Sequence, residues 1–357
     1  MVPSLSSLAL AIGILSLLEL VTWDGSSALG QDGVPSVADL GRYAGPDRTE
    51  RLIAGARREG TVAVYTSAAV EDMSILTAAF EKKYNVKVQL WRSSSENIVQ
   101  RGVMEARGRR FDADVFETGA LAMESLHREL LLQEVKASAT SELIPAAIPP
   151  HREWIGTRFN IFAATYNTRL VNKDEVPKRY DDLLDRRWKG KLAVEAEDND
   201  WFGAVVGELG EERGLKLFHD IVATNGISVR KGHTLLASLV VSGEVPLALT
   251  TYAYKVEQLR KIGAPVDWVV IPPAVARFEG AGIARRAAHP NGAILFFEFM
   301  LTDAQDLLLR RDFFPARRNA RPLPGGVSPT FLDPAKGLDE HQKWSRYFRD
   351  TIINQAR

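Results

Sequence analysis

The sequence predicts an α/β protein built as two lobes, and three observations carry that prediction. Short apolar strands alternate with amphipathic helices from Thr61 to Phe116. A second set of the same kind runs from Leu192 to Ile271, beyond a break marked by Pro145, Pro149 and Pro150. The strand and helix pattern then resumes after Pro272-Pro273. Alternation with short connections calls for parallel strands covered by helices on both faces. Two such units, with the chain passing between them more than once, imply two lobes and a hinge.

In order along the chain, Leu52, Ile53 and Ala56 share one helical face, with Arg51, Arg57 and Arg58 off it, and Gly60 ends that helix. Thr61–Tyr65 reads as a buried strand, followed by Thr66-Ser67 as turn and cap. Leu76, Phe80 and Tyr84 recur every four residues on the next helix. Val86, Val88 and Leu90 alternate with Lys87 and Gln89, the period of a strand. Ser93 and Glu96 have capping-box spacing at the start of another helix, which carries Ile98, Val99, Val103 and Ala106. Ala113–Phe116 is a third strand. Arg158–Tyr166 reads as a strand leaving the first lobe. In the second unit Leu192–Glu195, Val245–Thr250 and Asp267–Ile271 are strands. Helices are predicted over Trp201–Leu209, Arg213–Val222, Leu235–Val241 and Val256–Ile262. After the double proline, Gly282–Arg285 is a strand and Ala293–Leu301 and Ala304–Leu309 are helices.

The 357 residues contain 45 Lys+Arg against 45 Asp+Glu, a balance that excludes a basic face for nucleic acid or a polybasic membrane attachment. With no cysteine, disulfides, thiolate metal sites and cysteine nucleophiles are excluded too. Leu5–Leu18 is an uncharged apolar run followed by small residues and Ala28-Leu29-Gly30. It is too short for a membrane span and is read as a cleaved secretory signal over residues 1–30, although no Lys or Arg stands near Met1. Among the histidines no metal-ligand spacing recurs, and the hydrolase, zincin and P-loop motifs are missing. The acids Asp182, Asp185, Glu195, Glu197, Asp198 and Asp200 are not paired for acid–base work and read as a solvated helix end and loop.

In parallel sheets ligands gather where strands end and helices begin. Here those ends are Thr66-Ser67-Ala68, Ser93-Ser94-Ser95 and Glu117-Thr118-Gly119, all small and polar.

Several strings in order carry a resemblance. Glu59–Ser67 (EGTVAVYTS), Ala79–Tyr84 (AFEKKY) and Asp112–Phe116 (DADVF) lie in the first unit. Trp188–Lys191 (WKGK), Asn225–His233 (NGISVRKGH), Ser242–Pro246 (SGEVP) and Lys261–Val266 (KIGAPV) lie in the second, and Ala288–Asn291 (AHPN) marks the return. Together they resemble the bacterial extracellular solute-binding proteins of the ferric-iron-type branch. The resemblance implies a two-lobed periplasmic-binding-protein fold of type II. Residues 1–30 would be the signal, residues 31–153 and 272–320 lobe 1, and residues 154–271 and 321–357 lobe 2. It also implies hinge closure around a solute, a monomer in the periplasm, and a membrane permease and ATPase as partners.

The residues expected around the solute are Thr66, Ser67, Ser94, Ser95, Glu117 and Thr118 from lobe 1. From lobe 2 they are Trp201, Arg230, His233, Thr251 and Tyr252. Arg230 can grip a carboxylate or phosphate with two parallel hydrogen bonds, and the serine loops offer N–H groups at helix starts, so a small organic or phosphorylated anion is the expected ligand. Ferric iron as transported ligand, held by Tyr252 and Tyr254, is the alternative, because the family's iron binders use a tyrosine pair there. In this chain Ala253 stands beside Tyr252, and the early loop has Ala68-Ala69 in place of a histidine. A secreted enzyme or a sensor subunit on the same scaffold are the readings from other classes. No cofactor is expected.

Overall fold

The computed structural model describes residues 36–355, except 135, 321, 322, 324, 325 and 327. The expected signal over residues 1–30 lies outside the described residues. The strands are β1 (Thr61–Thr66), β2 (Lys87–Arg92), β3 (Val115–Gly119), β4 (Leu132–Gln133), β5 (Trp154–Asn167), β6 (Leu192–Glu195), β7 (Ser228–Arg230), β8 (Leu247–Tyr252), β9 (Val266–Val269), β10 (Val275–Ala284), β11 (Phe314–Pro315) and β12 (Thr330–Phe331). Their order is β2-β1-β3-β10-β5-β8-β6-β7. In the first lobe β1, β2 and β3 are parallel, and β10 and β5 close that side antiparallel. In the second lobe β6, β7 and β8 are parallel, and β5 runs antiparallel to β8 and β9. The predicted two-lobed α/β fold is therefore the observed one.

β5 belongs to both lobes. Its residues Trp154–Ile161 pair with β10, and Phe162–Asn167 pair with β8 and β9. All 14 of its residues are buried, because the strand is covered on both faces in both lobes. β10 is longer than the predicted Gly282–Arg285. It starts at Val275, and Arg277 and Glu279 had hidden its apolar pattern. The Pro272–Pro273 peptide that leads into it is cis.

The three predicted strands of lobe 1 and the two helices predicted between them, Val70–Tyr84 after β1 and Ser95–Arg107 after β2, are present, and a third, unpredicted helix, Ala120–Arg128, follows β3. The predicted helix before β1 spans Arg48–Glu59 and stops at Gly60, whose φ of +76° is the left-handed conformation glycine adopts without strain. The lobe 1 core is aromatic. Phe80 is fully buried with ring centroids 5.1 Å from Phe296 and 5.5 Å from Phe299. Lobe 2 has its own core of Trp201, Phe202 and Phe218, and the C-terminal helix His341–Thr351 adds Trp344 and Phe348 to it. Among the described residues no helix is long and apolar enough to cross a membrane.

Phe80→Ala should lower the unfolding free energy by about 3–5 kcal/mol, as expected for emptying a rigid aromatic site. Denaturant titration followed by circular dichroism would check it.

Candidate ligand cleft

The site is built on the two strands that join the lobes. Side chains alternate along a strand, so Arg158 and Asn160 of β5 share one face while Phe159 and Ile161 take the other. β10 does the same with Arg277 and Glu279 against Phe278. The register sets Arg158 opposite Glu279 and Asn160 opposite Arg277. Phe159 and Phe278 pack edge-on at 5.9 Å on the apolar side. The four polar residues floor a cleft of about 1300 Å³ that both lobes line.

Burying these groups requires partners. Arg158, 3% exposed, donates to the carboxylate of Glu117, which is fully buried and also accepts from the Thr66 hydroxyl. Asn160 Nδ2 donates to Glu279 Oε1 at 3.0 Å. Arg158 Nε and Asn160 Oδ1, both buried, hydrogen-bond to no protein group. Burial pushes the Glu279 carboxyl above its ordinary range, against the pull of Arg158.

Lobe 1 supplies a donor-rich wall. Thr118 donates to Ser67 Oγ and lies 2.8 Å from Ser95 Oγ, so the ends of β1 and β3 and the start of the helix after β2 are tied together. Helices Val70–Tyr84 and Ala120–Arg128 begin at Ala69 and Gly119 with no side-chain cap. The first turn of the second of these contains no acid. Asp72, in the first turn of the other, accepts from Arg311 at 2.6 Å. The cap of the middle helix is Ser94, whose Oγ accepts from the Asn97 N–H at 3.3 Å, rather than the predicted Ser93. Ser93 instead accepts from the Asn97 side chain at 3.0 Å.

Lobe 2 faces the cleft with acids. Glu195 and Asp198 are buried at 2% and 0% exposure, which corrects the predicted solvated helix end for these two, whereas Glu197 is exposed. Glu195 accepts from the backbone N–H of Gly232 at 2.7 Å and of Glu197 at 2.6 Å, neutralising the start of the helix at His233. Burial, then the nearby Asp198, raises the Glu195 carboxyl. His233 donates through Nδ1 to Thr250 O at 3.0 Å, and its Nε2 lies 3.2 Å from Arg277 and 3.3 Å from Asp198 Oδ1; against burial, the Asp198 carboxylate raises the imidazole pKa. Arg277 also reaches Asp200 Oδ2 at 3.1 Å and donates to the Tyr252 hydroxyl. Burial keeps that phenol neutral, pushing its pKa well above 10.0 although Arg277 acts against this.

Of the residues expected from sequence, Ser67, Ser94, Ser95, His233, Tyr252 and Tyr254 line the cleft. Thr66, Glu117 and Thr118 stand directly behind that lining and hold it through hydrogen bonds. Three expected residues are not on the wall. Trp201 is 1% exposed in the lobe 2 core, against Phe218 and Tyr180. Thr251 is fully buried and bonded to Ala163 O. Arg230, at the end of an outer strand, pairs with Glu244 at 3.5 Å. Tyr254 stacks on Phe313 at 4.1 Å. The residues that sequence reasoning missed are Arg158, Asn160, Arg277 and Glu279. Their signal was present as polar residues two apart inside otherwise apolar strands, RFN and RFE.

Glu117→Gln or Arg158→Met should each cost about 3–5 kcal/mol by stranding a buried charge, and the double replacement should cost clearly less than the sum. A denaturant-based double-mutant cycle reads this directly. For Glu279 the folded pKa lies above the ordinary 4.5, so its contribution to stability is fully present below that value and is lost as pH rises through the raised one. Glu279→Gln should flatten that part of the stability–pH curve.

Residues 65–306 match the family described as bacterial extracellular solute-binding protein. The chain is 24% identical over 268 residues to iron uptake protein A1 of Synechocystis, covering 70% of this chain and 74% of that protein. It is 25% identical over 272 residues to an Fe(3+)-binding periplasmic protein of Serratia marcescens, covering 73% and 78%. Iron-bound HitA from Pseudomonas aeruginosa superposes with a TM-score of 0.70 at 21% identity, over 82% of this chain and 99% of that one. AfuA from Actinobacillus pleuropneumoniae, with fructose-6-phosphate bound, gives 0.68 at 19% identity over 83% and 99%. With the family match spanning more than half of the chain, and with two lobes joined by shared strands around a cleft, this protein belongs to the bacterial extracellular solute-binding proteins.

Proposed function

We propose that the chain is the periplasmic receptor of an ABC importer. It acts without catalysis, holds a small organic or phosphorylated anion between its lobes, and presents the closed form to a membrane permease and its ATPase. The observation that carries the ligand class is the cleft floor. Two guanidinium groups, Arg158 and Arg277, enter it from the joining strands, and Arg158 Nε is a buried donor bonded to no protein group. Such a donor costs free energy until something accepts from it. The lobe 1 wall beside it adds hydroxyls and helix starts, which also favour negative charge. A ligand that bridges floor and walls stabilises the closed arrangement by the difference in its affinity for the two forms.

Ferric iron is the second reading, favoured by the names of the Synechocystis and Serratia relatives and by Tyr252 at the lobe 2 wall. It needs a phenolate where burial holds a neutral phenol.

Thermal unfolding of the chain from residue 36 should be recorded against sugar phosphates, phosphate, phosphonates, small carboxylates and ferric citrate. A ligand at 100 times its Kd adds about 2.7 kcal/mol of stability. The expected result is a shift with an anion that shrinks in Ser67→Ala/Ser95→Ala and persists in Arg230→Ala. A shift with ferric iron alone, with visible colour lost in Tyr252→Phe, would replace the anion by iron.

A further inference from the structure

The lobe 2 wall has the composition of a metal site. Glu195, Asp198 and His233 can each offer a ligand atom within 4.8 Å of the others, and Tyr252 and Asp200 stand beside them. Carboxylate, imidazole and phenol oxygen or nitrogen suit hard and borderline cations. The relatives that carry iron in their names make the question specific to this chain.

We propose that Arg277 sets this cleft against metal cations by occupying the cation position itself. Its guanidinium lies 3.1 Å from Asp200 Oδ2, 3.7 Å from Asp198 Oδ1 and 3.2 Å from His233 Nε2, and it donates to the Tyr252 hydroxyl. These are the groups a metal ion would recruit. The His233 Nε2 already lies against arginine and Asp198, the phenol oxygen already accepts from arginine, and both aspartates face its charge, Asp198 at 3.7 Å with no hydrogen bond to either carboxylate oxygen. An ion entering the nest must displace a permanently charged side chain or sit against it. The guanidinium has little freedom to leave. It lies over the Phe162 and Tyr252 rings at 5.2 and 5.4 Å, and its backbone is fixed by the antiparallel register of β10 with β5.

The same geometry explains why Asp198 and Asp200 are tolerated together. Buried acids at this density need a compensating cation. In this chain a joining strand delivers that cation as a side chain, so the positive charge of the site is permanent and the ligand need not bring one. This inference rests on the reading of the cleft as the solute site, but its Co2+ arm involves no organic anion, and a sodium citrate control separates binding of citrate from binding of iron.

The test is equilibrium titration of the chain from residue 36 with Co2+ and with ferric citrate, the latter against a sodium citrate control, followed by absorption and calorimetry. The variants are Arg277→Met, Arg277→Gln, Arg277→Lys and Arg277→Met/Asp198→Asn. The glutamine variant keeps a donor and much of the length without the charge, which covers the case in which the methionine variant does not fold. The expected result is weak or absent binding in the native chain and in Arg277→Lys. Binding at least tenfold tighter is expected in Arg277→Met or Arg277→Gln, and it should disappear when Asp198 is also replaced. The proposal is overturned if the native chain binds either metal as tightly as the neutral variants, or if the folded neutral variants gain no affinity.

Discussion

The antiparallel pairing of β5 with β10 is the constraint on which the rest of this molecule depends. It is at once the connection between the lobes, the centre of the continuous sheet order and the floor of the cleft. One pleat face of the pair is aromatic and seals the lobe 1 core, and the other carries two arginines, an asparagine and a glutamate. Because side chains alternate with a period of two, a slip of one residue in either strand would turn its two polar groups into the core and its phenylalanine, Phe159 or Phe278, into the cleft. The register is therefore held by the cost of that exchange. Gly280 lets the strands approach closely, since a Cβ there would meet the Trp154 ring at 2.7 Å.

Charge compensation extends outward from those strands into both lobes. Arg158 balances Glu117 at the end of β3, which in turn fixes Thr66 at the end of β1. Arg277 balances the acids after β6. Each lobe thus contributes carboxylates, and the joining strands contribute the guanidinium groups that make those carboxylates tolerable. Glu195 does a different task, satisfying the backbone donors at the start of the His233 helix. The consequence is an asymmetric cleft, with hydroxyls and open helix starts on lobe 1 and acids already engaged by arginine or backbone on lobe 2.

That asymmetry separates the chain's family membership from its ligand. The shared fold explains why iron-binding and sugar-phosphate-binding proteins superpose on it equally well, since a two-lobed scaffold with a hinge specifies closure and not chemistry. What distinguishes one cleft from another is a handful of side chains on strand ends. Here an arginine stands where a cation would otherwise complete a set of carboxylate, imidazole and phenol groups.

Much of the fold was legible in the sequence, because periodicity and turn residues act locally. The strand–helix alternation, the glycine stop at Gly60 and the hydroxyl loops at Ser67, Ser94-Ser95 and Thr118 follow from the side chains of short segments. The cleft was only half legible. Arg230 looked like the ligand's partner because it follows a strand in a glycine-bounded loop, yet it ends an outer strand and pairs with Glu244. Trp201 looked like a wall, yet its helix turns it into the core. The arginines that do reach the cleft sit inside strands, and whether an in-strand polar residue faces a core or a cleft depends on a partner strand more than a hundred residues away. By itself the sequence determined the lobes and the polar strand ends, through patterns a few residues long. Tertiary structure alone decided which charges meet at the floor, because pairing β5 with β10 is a contact between distant segments that no local pattern encodes.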